Sequence, residues 1–525
     1  MNAGMSAHAA WTLALLEART RLRRPATLVV LLAVVVLSWL MISDPSGGYT
    51  LMTVNGARVR YTSSALALGS ASQATLLFGL AGFFLLRGRM AEDLRAGLGG
   101  VIGASPAGGA LFVFARWGGG VLYLSALVGA CLATVLLCHA VRGEGPIRLI
   151  VYLQAYVLVL GPVVLFTAAC ATLCDSWAPL MGKAGDLLYF LLWVAQVGLL
   201  AASTEGGAPP RAMPFDFSGM SAIVTALAAH VDTRSMALGI ADFDAAIPAL
   251  TLPDALWSLH LVGMRCVTAV LALLPLLAAL RMFHRYSPDR VKPASARRRR
   301  SPLALVDGWL RPLARLVQPL FALSARLPGS AGQVLADVSL TLAATPSAVA
   351  ALLVAQVLAL VLDARLLAPL VLACVAFWGV LVSDLATRDG DAGCAGLGAA
   401  VPGGGAGRHW RQLAATFLLG LLFTGVAAAR LAGIEPLRPA ALLAGLFALS
   451  ALASLLGRAS GSARTFLALF LVGLYTSVNI DKAALADMVG FHGTATALSV
   501  LAWTGVGIAA GWAGHMWTTR RAHAA

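Results

Sequence analysis

The chain has 525 residues, of which 59% are apolar and 12% are charged, and this charged fraction is about half that of an ordinary soluble domain. The composition excludes a soluble globular protein. Runs of about 20 mostly apolar residues recur along the sequence, and each is long enough to cross the hydrocarbon core of a bilayer as a helix. The sequence therefore predicts an all-α integral membrane protein with about twelve membrane spans.

The apolar segments give the predicted spans in chain order. They are residues 26–42, 64–86, 116–140, 148–173, 185–203, 258–280, 347–363, 366–385, 412–429, 437–457, 465–480 and 497–517. Four arginines precede the first of them, and no small-residue cleavage site follows it. We therefore expect an uncleaved first crossing rather than a signal peptide.

The net charge of +15 is explained by the topology that these spans imply. If the N-terminus is cytoplasmic, more than two thirds of the 38 lysines and arginines fall in cytoplasmic segments. Cytoplasmic loops retain Lys and Arg, so both termini are predicted to be cytoplasmic. A nucleic-acid partner is not expected, and the run Arg297–Arg300 is expected to face anionic lipid headgroups.

A basic stretch, 281–346, divides the spans into six and six and suggests an internal repeat. A shift of 296 positions places Asp93 on Asp389 and Pro106 on Pro402. Repeats with an even number of spans share one orientation, so the two halves are predicted to be parallel. The predicted regions are an amphipathic N-terminal helix (1–25), a first six-helix repeat (26–280), a basic linker with a second surface helix (281–346), a second six-helix repeat (347–517) and a cytoplasmic tail (518–525).

Several kinds of chemistry lack the residues that they require. No GxxxxGK[ST] phosphate loop is present, so the chain is not expected to hydrolyse ATP by itself. The seven cysteines include no CxxC pair, and neither a disulfide framework nor a metal site is predicted.

The predicted spans hold few polar side chains. Gln154, Gln196, Arg265 and Gln356 are the candidates for lining a pathway. The alternative for the glutamines is hydrogen bonding between helices, and for Arg265 it is a structural or snorkelling role. A large outer loop, 204–257, follows the fifth span, and its residues 218–231 are expected to lie on the membrane surface or to dip into it.

The segment 87–115 is the most informative part of the sequence. It is too long for a tight turn, and it places Arg89, Glu92, Asp93 and Arg95 ahead of a small-residue apolar stretch that ends at Pro106. This pattern predicts a short helix along the inner membrane surface that presents its charged residues to the cytosol. A plain interfacial loop anchored by arginines is the alternative.

The order of features in the first half resembles the permease subunits of ABC-2 type exporters. A surface helix with Glu17 and an arginine cluster is followed by two spans and then by D-x3-G-x8-P, which is Asp93, Gly97 and Pro106. The resemblance is best over residues 10–175. In the second half, 386–411 keeps Asp389 and Pro402 but is so rich in glycine that helix formation is disfavoured by about 1 kcal/mol per glycine.

The resemblance implies a function and partners. In that family each permease unit has six spans, and the short helix after the second span contacts a separate ATPase. By implication, the coupling residues are Arg89, Glu92, Asp93, Arg95, Pro106, Asp389 and Pro402. The chain would then be an exporter permease of the bacterial cytoplasmic membrane that binds no cofactor, with ATP and magnesium held by partner ATPase subunits and a degenerate second contact.

Two other functions remain open at this point. A six-plus-six ion-coupled secondary transporter would share the repeat, although such proteins usually have a shorter loop after the second span. A membrane-embedded lipid-modifying transferase would need acidic or histidine groups at a membrane face. Asp389 and Asp391 near His409 are the candidates for that chemistry.

Overall fold

The computed structural model is 78% helical and divides into two compact units, Met1–Ser301 and Pro302–Ala525. The boundary between the units falls inside the predicted linker 281–346. The structure describes residues 3–95, 97–105, 107–205, 213–231, 233, 235–283, 302–394, 404–433, 435–479 and 484–524.

The first unit contains long helices joined by short ones. They are α1 (Ala3–Leu22), α2 (Pro25–Met41), α3 (Ser63–Leu86), α4 (Arg89–Arg95), α5 (Leu98–Ala104), α6 (Gly109–Arg142), α7 (Leu149–Ala155), α8 (Gly161–Ser176), α9 (Lys183–Glu205), α10 (Met220–Ala228), α11 (Leu259–Leu271) and α12 (Leu274–Met282). One turn of π-helix, Tyr156–Leu160, joins α7 to α8. Helix α3 is buried along almost its whole length, so it lies at the centre of the unit.

The second unit repeats this pattern with shorter connections. Its helices are α13 (Pro302–Trp309), α14 (Gln318–Arg326), α15 (Gly329–Ala344), α16 (Pro346–Val361), α17 (Ala364–Val382), α18 (Arg388–Asp391), α19 (Gly404–Ala432), α20 (Leu437–Ser460), α21 (Ala463–Asn479) and α22 (Ala497–Ala524). A 3₁₀ turn, Arg311–Val317, joins α13 to α14.

The prediction of a multi-pass helical membrane protein is confirmed at this coarse level. Within the described residues, eight helices are long and apolar enough to cross a membrane, and the number rises to ten if each of two bent helix pairs counts as one span. The pairs α1–α2 and α15–α16 bend by 77° and 101°. Pro25 and Pro346 begin the second helix of each pair, because proline lacks the N–H that a continuous helix would need there.

A helix is present at each of the twelve predicted positions. The sixth is divided in two between Leu271 and Leu274, just ahead of Pro275, and the eleventh, Ala463–Asn479, has only 17 residues. A count of twelve membrane crossings and the cytoplasmic location of the termini remain predictions.

The expectation of a purely α-helical chain needs one correction, because the first unit contains a three-stranded antiparallel sheet. Its strands are β1 (Tyr49–Val54), β2 (Ala57–Arg58) and β3 (Met236–Asp242), in the order β2-β1-β3. Asn55 and Gly56 join β1 to β2 with positive φ angles of 53° and 79°. An Asn-Gly pair after a β-branched stretch is a strong hairpin signal, and it was present in the sequence.

Glycines allow close approach of neighbouring elements in both units. In α6, a Cβ on Gly119 would lie 2.7 Å from Cβ and Cγ of Glu17, so this glycine allows α1 to pack on α6. In α20, a Cβ on Gly445 would collide with the backbone carbonyl oxygen of Met488. Small residues at such positions allow close contact between elements in a membrane protein.

The contact at Gly445 leads to a prediction. Gly445→Ala is expected to lower the free energy of unfolding by about 1 to 3 kcal/mol because the backbone at Met488 has to move. Thermal unfolding of the purified protein in detergent measures this change. Gly425→Ala in α19 is the matched control: its Cβ has open space, and alanine is the better helix former by about 1 kcal/mol. Equal melting temperatures for the two variants would contradict the packing seen here.

Candidate functional site

Charged side chains from α1, α2's N-terminal flank, α4 and α6 meet at one end of the first unit. We call this group the charged junction; its members are Glu17, Arg21, Arg24, Arg89, Glu92, Asp93 and Arg116. These residues are far apart in sequence, so their meeting depends on how the helices pack. The junction therefore ties the predicted coupling segment to the surface helix and to the third predicted span.

Glu17 is the central carboxylate of the charged junction. Its Oε1 accepts from Nε of Arg21 at 2.8 Å and lies 3.3 Å from Nε of Arg89, and its Oε2 accepts from Arg116. The spacing of four residues places Glu17 and Arg21 on one face of α1. Arg21 also donates to the backbone carbonyl of Leu86 at 3.2 Å. Glu17 and Arg21 together thus join α1 to the end of α3, to α4 and to α6.

The two acids of α4 bind different partners. Glu92 accepts two hydrogen bonds from Arg24, at 2.7 and 3.1 Å, and a third from Nη1 of Arg89 at 2.9 Å. Asp93 accepts from Arg116. A two-point contact between guanidinium and carboxylate is geometrically specific as well as strong. Helix α4 is therefore held against both the start of α2 and the start of α6.

A second group lies beside the charged junction and centres on Arg87, whose side chain is 0% exposed. Arg87 bonds to Asp175 at 2.5 Å and to Asp186 at 2.9 Å, and it donates to the carbonyl of Leu180 at 2.6 Å. The carboxylate of Asp175 also accepts from the backbone N–H of Gly88. We call this group the Arg87 network; it fixes the end of α3 to the turn between α8 and α9.

Within each of these two groups, neighbouring charges shift the pKa of a central member. Burial raises the pKa of the Glu92 carboxyl, but hydrogen bonds and charges from Arg24 and Arg89 outweigh it and hold the pKa at about 2. Burial alone would lower the pKa of Arg87, yet Asp175 and Asp186 raise it above its usual value. Asp93 differs from Glu92, because burial raises the pKa of its carboxyl.

The structure places the predicted coupling residues of the first unit as follows. Arg89, Glu92 and Asp93 come together in the charged junction. Arg95 ends α4, but its side chain and Pro106 lie outside the described part of the chain. Sequence reasoning assigned no role to Asp175 and Asp186. The available signal was their position: Asp175 follows the fourth predicted span, and Asp186 lies at the start of the fifth.

The second unit has a smaller counterpart. Asp389 accepts from Nη2 of Arg408 at 2.5 Å and from the amide of Gln412 at 3.4 Å. The shift of 296 positions that aligns Asp93 with Asp389 also aligns Arg116 with Gln412, so the acid contacts the same position of the third long helix in each unit. Pro402 lies outside the described residues.

The four candidates for lining a pathway have different surroundings. Gln154 is exposed on α7. Gln196 accepts from the backbone N–H of Phe217 at 3.1 Å, and Gln356 donates to the carbonyl of Leu422 at 2.6 Å. Arg265 is buried and donates to backbone carbonyls rather than snorkelling to a surface. For Gln196, Gln356 and Arg265, the observed role is to join elements.

Arg265 holds the predicted outer loop to the helix bundle. It donates to Leu158 at 2.8 Å and Val159 at 3.3 Å, both in the π-helical turn, and to Asp216 at 2.7 Å. A π-turn leaves carbonyls without their usual helical donors. Thr75, halfway along α3, donates to the carbonyl of Ser218 at 3.0 Å. The loop around 213–228 therefore inserts deep beside α3 instead of lying on a surface.

Buried carboxylates organise the corresponding loop in each unit. Asp216 accepts from the backbone N–H groups of Gly219 and Ser221, at 3.0 and 2.8 Å, ahead of α10. In the second unit, Asp487 accepts from the N–H groups of Phe491 and His492, both at 2.8 Å.

An arginine from a long helix completes both arrangements. Arg438 of α20 donates to the carbonyls of Gly490 at 2.8 Å and Phe491, as Arg265 of α11 does to Asp216. The loops differ greatly in length, yet both follow the predicted fifth span of their half. They share one pattern, a buried acid together with an arginine that donates to backbone carbonyls of the loop.

The candidate transferase residues are engaged elsewhere. The two ring nitrogens of His409 contact the hydroxyl of Ser454 at 2.8 Å and the carbonyl of Gly511 at 3.0 Å. Asp389 is paired with Arg408, and Asp391 accepts from the hydroxyl of Thr387 at 3.4 Å. The contacts of His409 join helices, and neither of its ring nitrogens is directed at a carboxylate.

Comparisons with protein-family models, with curated proteins and with solved structures found no match for this chain. Among the described residues, no group of three or more His, Cys, Asp or Glu side chains is placed to hold a metal ion.

The Arg87 network predicts a large cost for losing its arginine. Arg87→Leu leaves Asp175 and Asp186 without their main cationic partner in a buried site, so stability should fall by about 3 to 5 kcal/mol. Thermal unfolding in detergent tests this expectation. Arg23→Leu, on an exposed arginine, is the control and should change stability by less than about 0.5 kcal/mol. A comparable loss in both variants would contradict a special role for Arg87.

The low pKa of Glu92 predicts an acid-sensitive contribution to stability. A carboxyl whose pKa falls on folding stabilises the folded protein fully above its unfolded pKa, and this contribution disappears as the pH falls from about 4.5 towards about 2. The melting temperature of the wild type should therefore exceed that of Glu92→Gln by a constant amount above pH 5.5 or so. The difference should shrink on acidification. A difference that is independent of pH would show that the charge of Glu92 is not responsible.

Proposed function

We propose that this chain is the membrane-spanning permease of an ABC-2 type exporter, driven by separate ATP-binding subunits. In this proposal, its twelve long helices cross a bacterial cytoplasmic membrane as two parallel six-helix repeats with both termini in the cytoplasm. ATP and magnesium are bound by the partner subunits, and the residues of this chain receive and transmit the resulting movement.

The observation that carries the proposal is the charged junction. Through Glu17 and Arg116, the charged junction connects three elements directly: helix α1, the α4–α5 segment and helix α6. A force applied to α4–α5 would therefore move α1 and α6 with it rather than bend a loose loop. Rigid-body displacement of packed helices is a common means of switching a protein between two states.

A surface suited to a protein contact adjoins this junction. Helix α5 has Leu98 and Val101 exposed by 46% and 69%, and Gly97, in the left-handed conformation, separates it from α4. Because α5 follows directly on the charged α4, its exposed apolar side chains can contact a cytoplasmic partner while the charged junction anchors the segment behind them. We assign this face to the ATPase contact.

The smaller group around Asp389 supports an unequal pair of contacts. It keeps the acid and an arginine but has no counterpart of the Glu92–Arg24 pair among its described contacts. The second contact would then transmit less force, in line with the glycine-rich sequence around it.

The contact face gives a test. Val101→Glu should abolish co-purification with the partner ATPase and remove its stimulated ATP hydrolysis, while leaving the melting temperature of the chain unchanged because Val101 is exposed. Val141→Glu is the matched control: Val141 is 65% exposed near the opposite end of α6. The measurement is affinity purification of the tagged chain from native membranes, followed by an ATPase assay.

Three results would contradict the proposal. The first is that the chain never purifies with a Walker-motif protein. The second is that the chain transports equally well without one. The third is that both valine variants lose the partner to the same extent.

A further inference from the structure

The second unit begins with a segment that the transport proposal does not use. Residues 302–327, here called the surface segment, comprise α13, the 3₁₀ turn Arg311–Val317 and α14. A proline lies near the start of the 3₁₀ segment, and another lies in the first turn of α14. A chain broken in this way follows a surface in short pieces and does not form one long helix.

The surface segment is docked at the start of α16, which corresponds to the seventh predicted span. It packs against α15 and α16, and the carboxylate of Asp307 accepts from the backbone N–H of Ser347 at 3.1 Å. Ser347 lies in the first turn of α16, where N–H groups have no partner within the helix. This bond places the surface segment level with the N-terminal end of α16, which is the end at which the predicted seventh span would meet the headgroup region.

Large apolar side chains are exposed along the surface segment. Val317 is buried against the unit, whereas Trp309 is 87% exposed. Other large apolar side chains along the segment are also exposed, namely Val306, Leu316, Phe321, Leu323 and Leu327. Tryptophan is favoured at the membrane interface because its ring is apolar and its N–H can still reach water or headgroups.

Cations accompany these apolar side chains. Arg311, Arg315 and Arg326 are exposed on the surface segment, and its one acid, Asp307, is bound to the end of α16. The segment therefore presents apolar groups and positive charge together, a combination that binds an anionic lipid surface.

We propose that the surface segment is a membrane-surface platform whose apolar side chains enter the headgroup boundary and whose arginines select anionic lipid. The occupant of this face is the anionic leaflet next to the N-terminal end of α16. The proposal does not depend on the ATPase assignment.

The insertion test uses the full chain in nanodiscs. The exposed cysteines Cys266 and Cys394 are first changed to Ser so that they do not react with the label. The substitution Trp309→Cys then provides the site for a polarity-sensitive fluorophore. Spin-labelled lipid should quench this label strongly and aqueous iodide weakly. A label on Ser46→Cys, at an exposed position in the turn before β1, should behave in the opposite way. Iodide quenching at position 309 as strong as at position 46 overturns the proposal.

The charge test measures which lipids stay bound during purification from bilayers of phosphatidylcholine with added phosphatidylglycerol. One triple variant carries Arg311→Gln, Arg315→Gln and Arg326→Gln. It should retain less phosphatidylglycerol, by about fivefold for each lost contact. The corresponding triple Arg→Lys variant should retain as much as the wild type. An equal loss in the Gln and Lys variants overturns selection by charge. Shielding of position 309 that occurs only when an ATPase subunit is added also overturns the proposal and identifies a protein-docking face.

Discussion

A charged or polar group inside an apolar helix bundle has to find a partner within the protein, because hydrocarbon offers none. This constraint explains the main features of both units. Arg87 is fully buried, and two carboxylates and a backbone carbonyl surround its guanidinium. Arg265 is buried as well, and backbone carbonyls of a π-turn and of an inserted loop surround it. Removing one partner would leave the other uncompensated.

The charged junction and the inserted loop are held in place by different kinds of contact. At the end with the charged junction, ionised side chains join helices to one another, so α1, α4 and α6 are linked by direct contacts between side chains. At the inserted loop, the side chain of Arg265 links the backbone of the loop to the backbone of the π-turn. The first arrangement suits transmission of a movement between helices. The second holds a loop in one position until its hydrogen bonds break.

The two units resemble each other in arrangement more than in residue type. Asp93 and Asp389 both contact the third long helix of their unit, although the aligned partners are Arg116 and Gln412. The loops organised by Asp216 and Asp487 differ in length and sequence, and each is nevertheless held by an arginine from a long helix. The contacts of these buried groups are thus alike in the two units, although the residues that make them differ. The proposed coupling is accordingly unequal between the units.

Sequence alone determined the helical, membrane-spanning class and the approximate position of each long helix, because the length of an apolar run is a local property that the bilayer thickness directly constrains. It also placed Arg89, Glu92 and Asp93 in one charged segment. The partners of these residues were decided by tertiary structure: Arg89 contacts Glu17 of α1, Asp93 contacts Arg116 of α6, and α1 packs on α6 at Gly119. The pairing of β1 with β3 and the burial of Arg265 depend likewise on segments almost 200 and about 50 residues apart, and contacts over such separations leave no local pattern in the sequence.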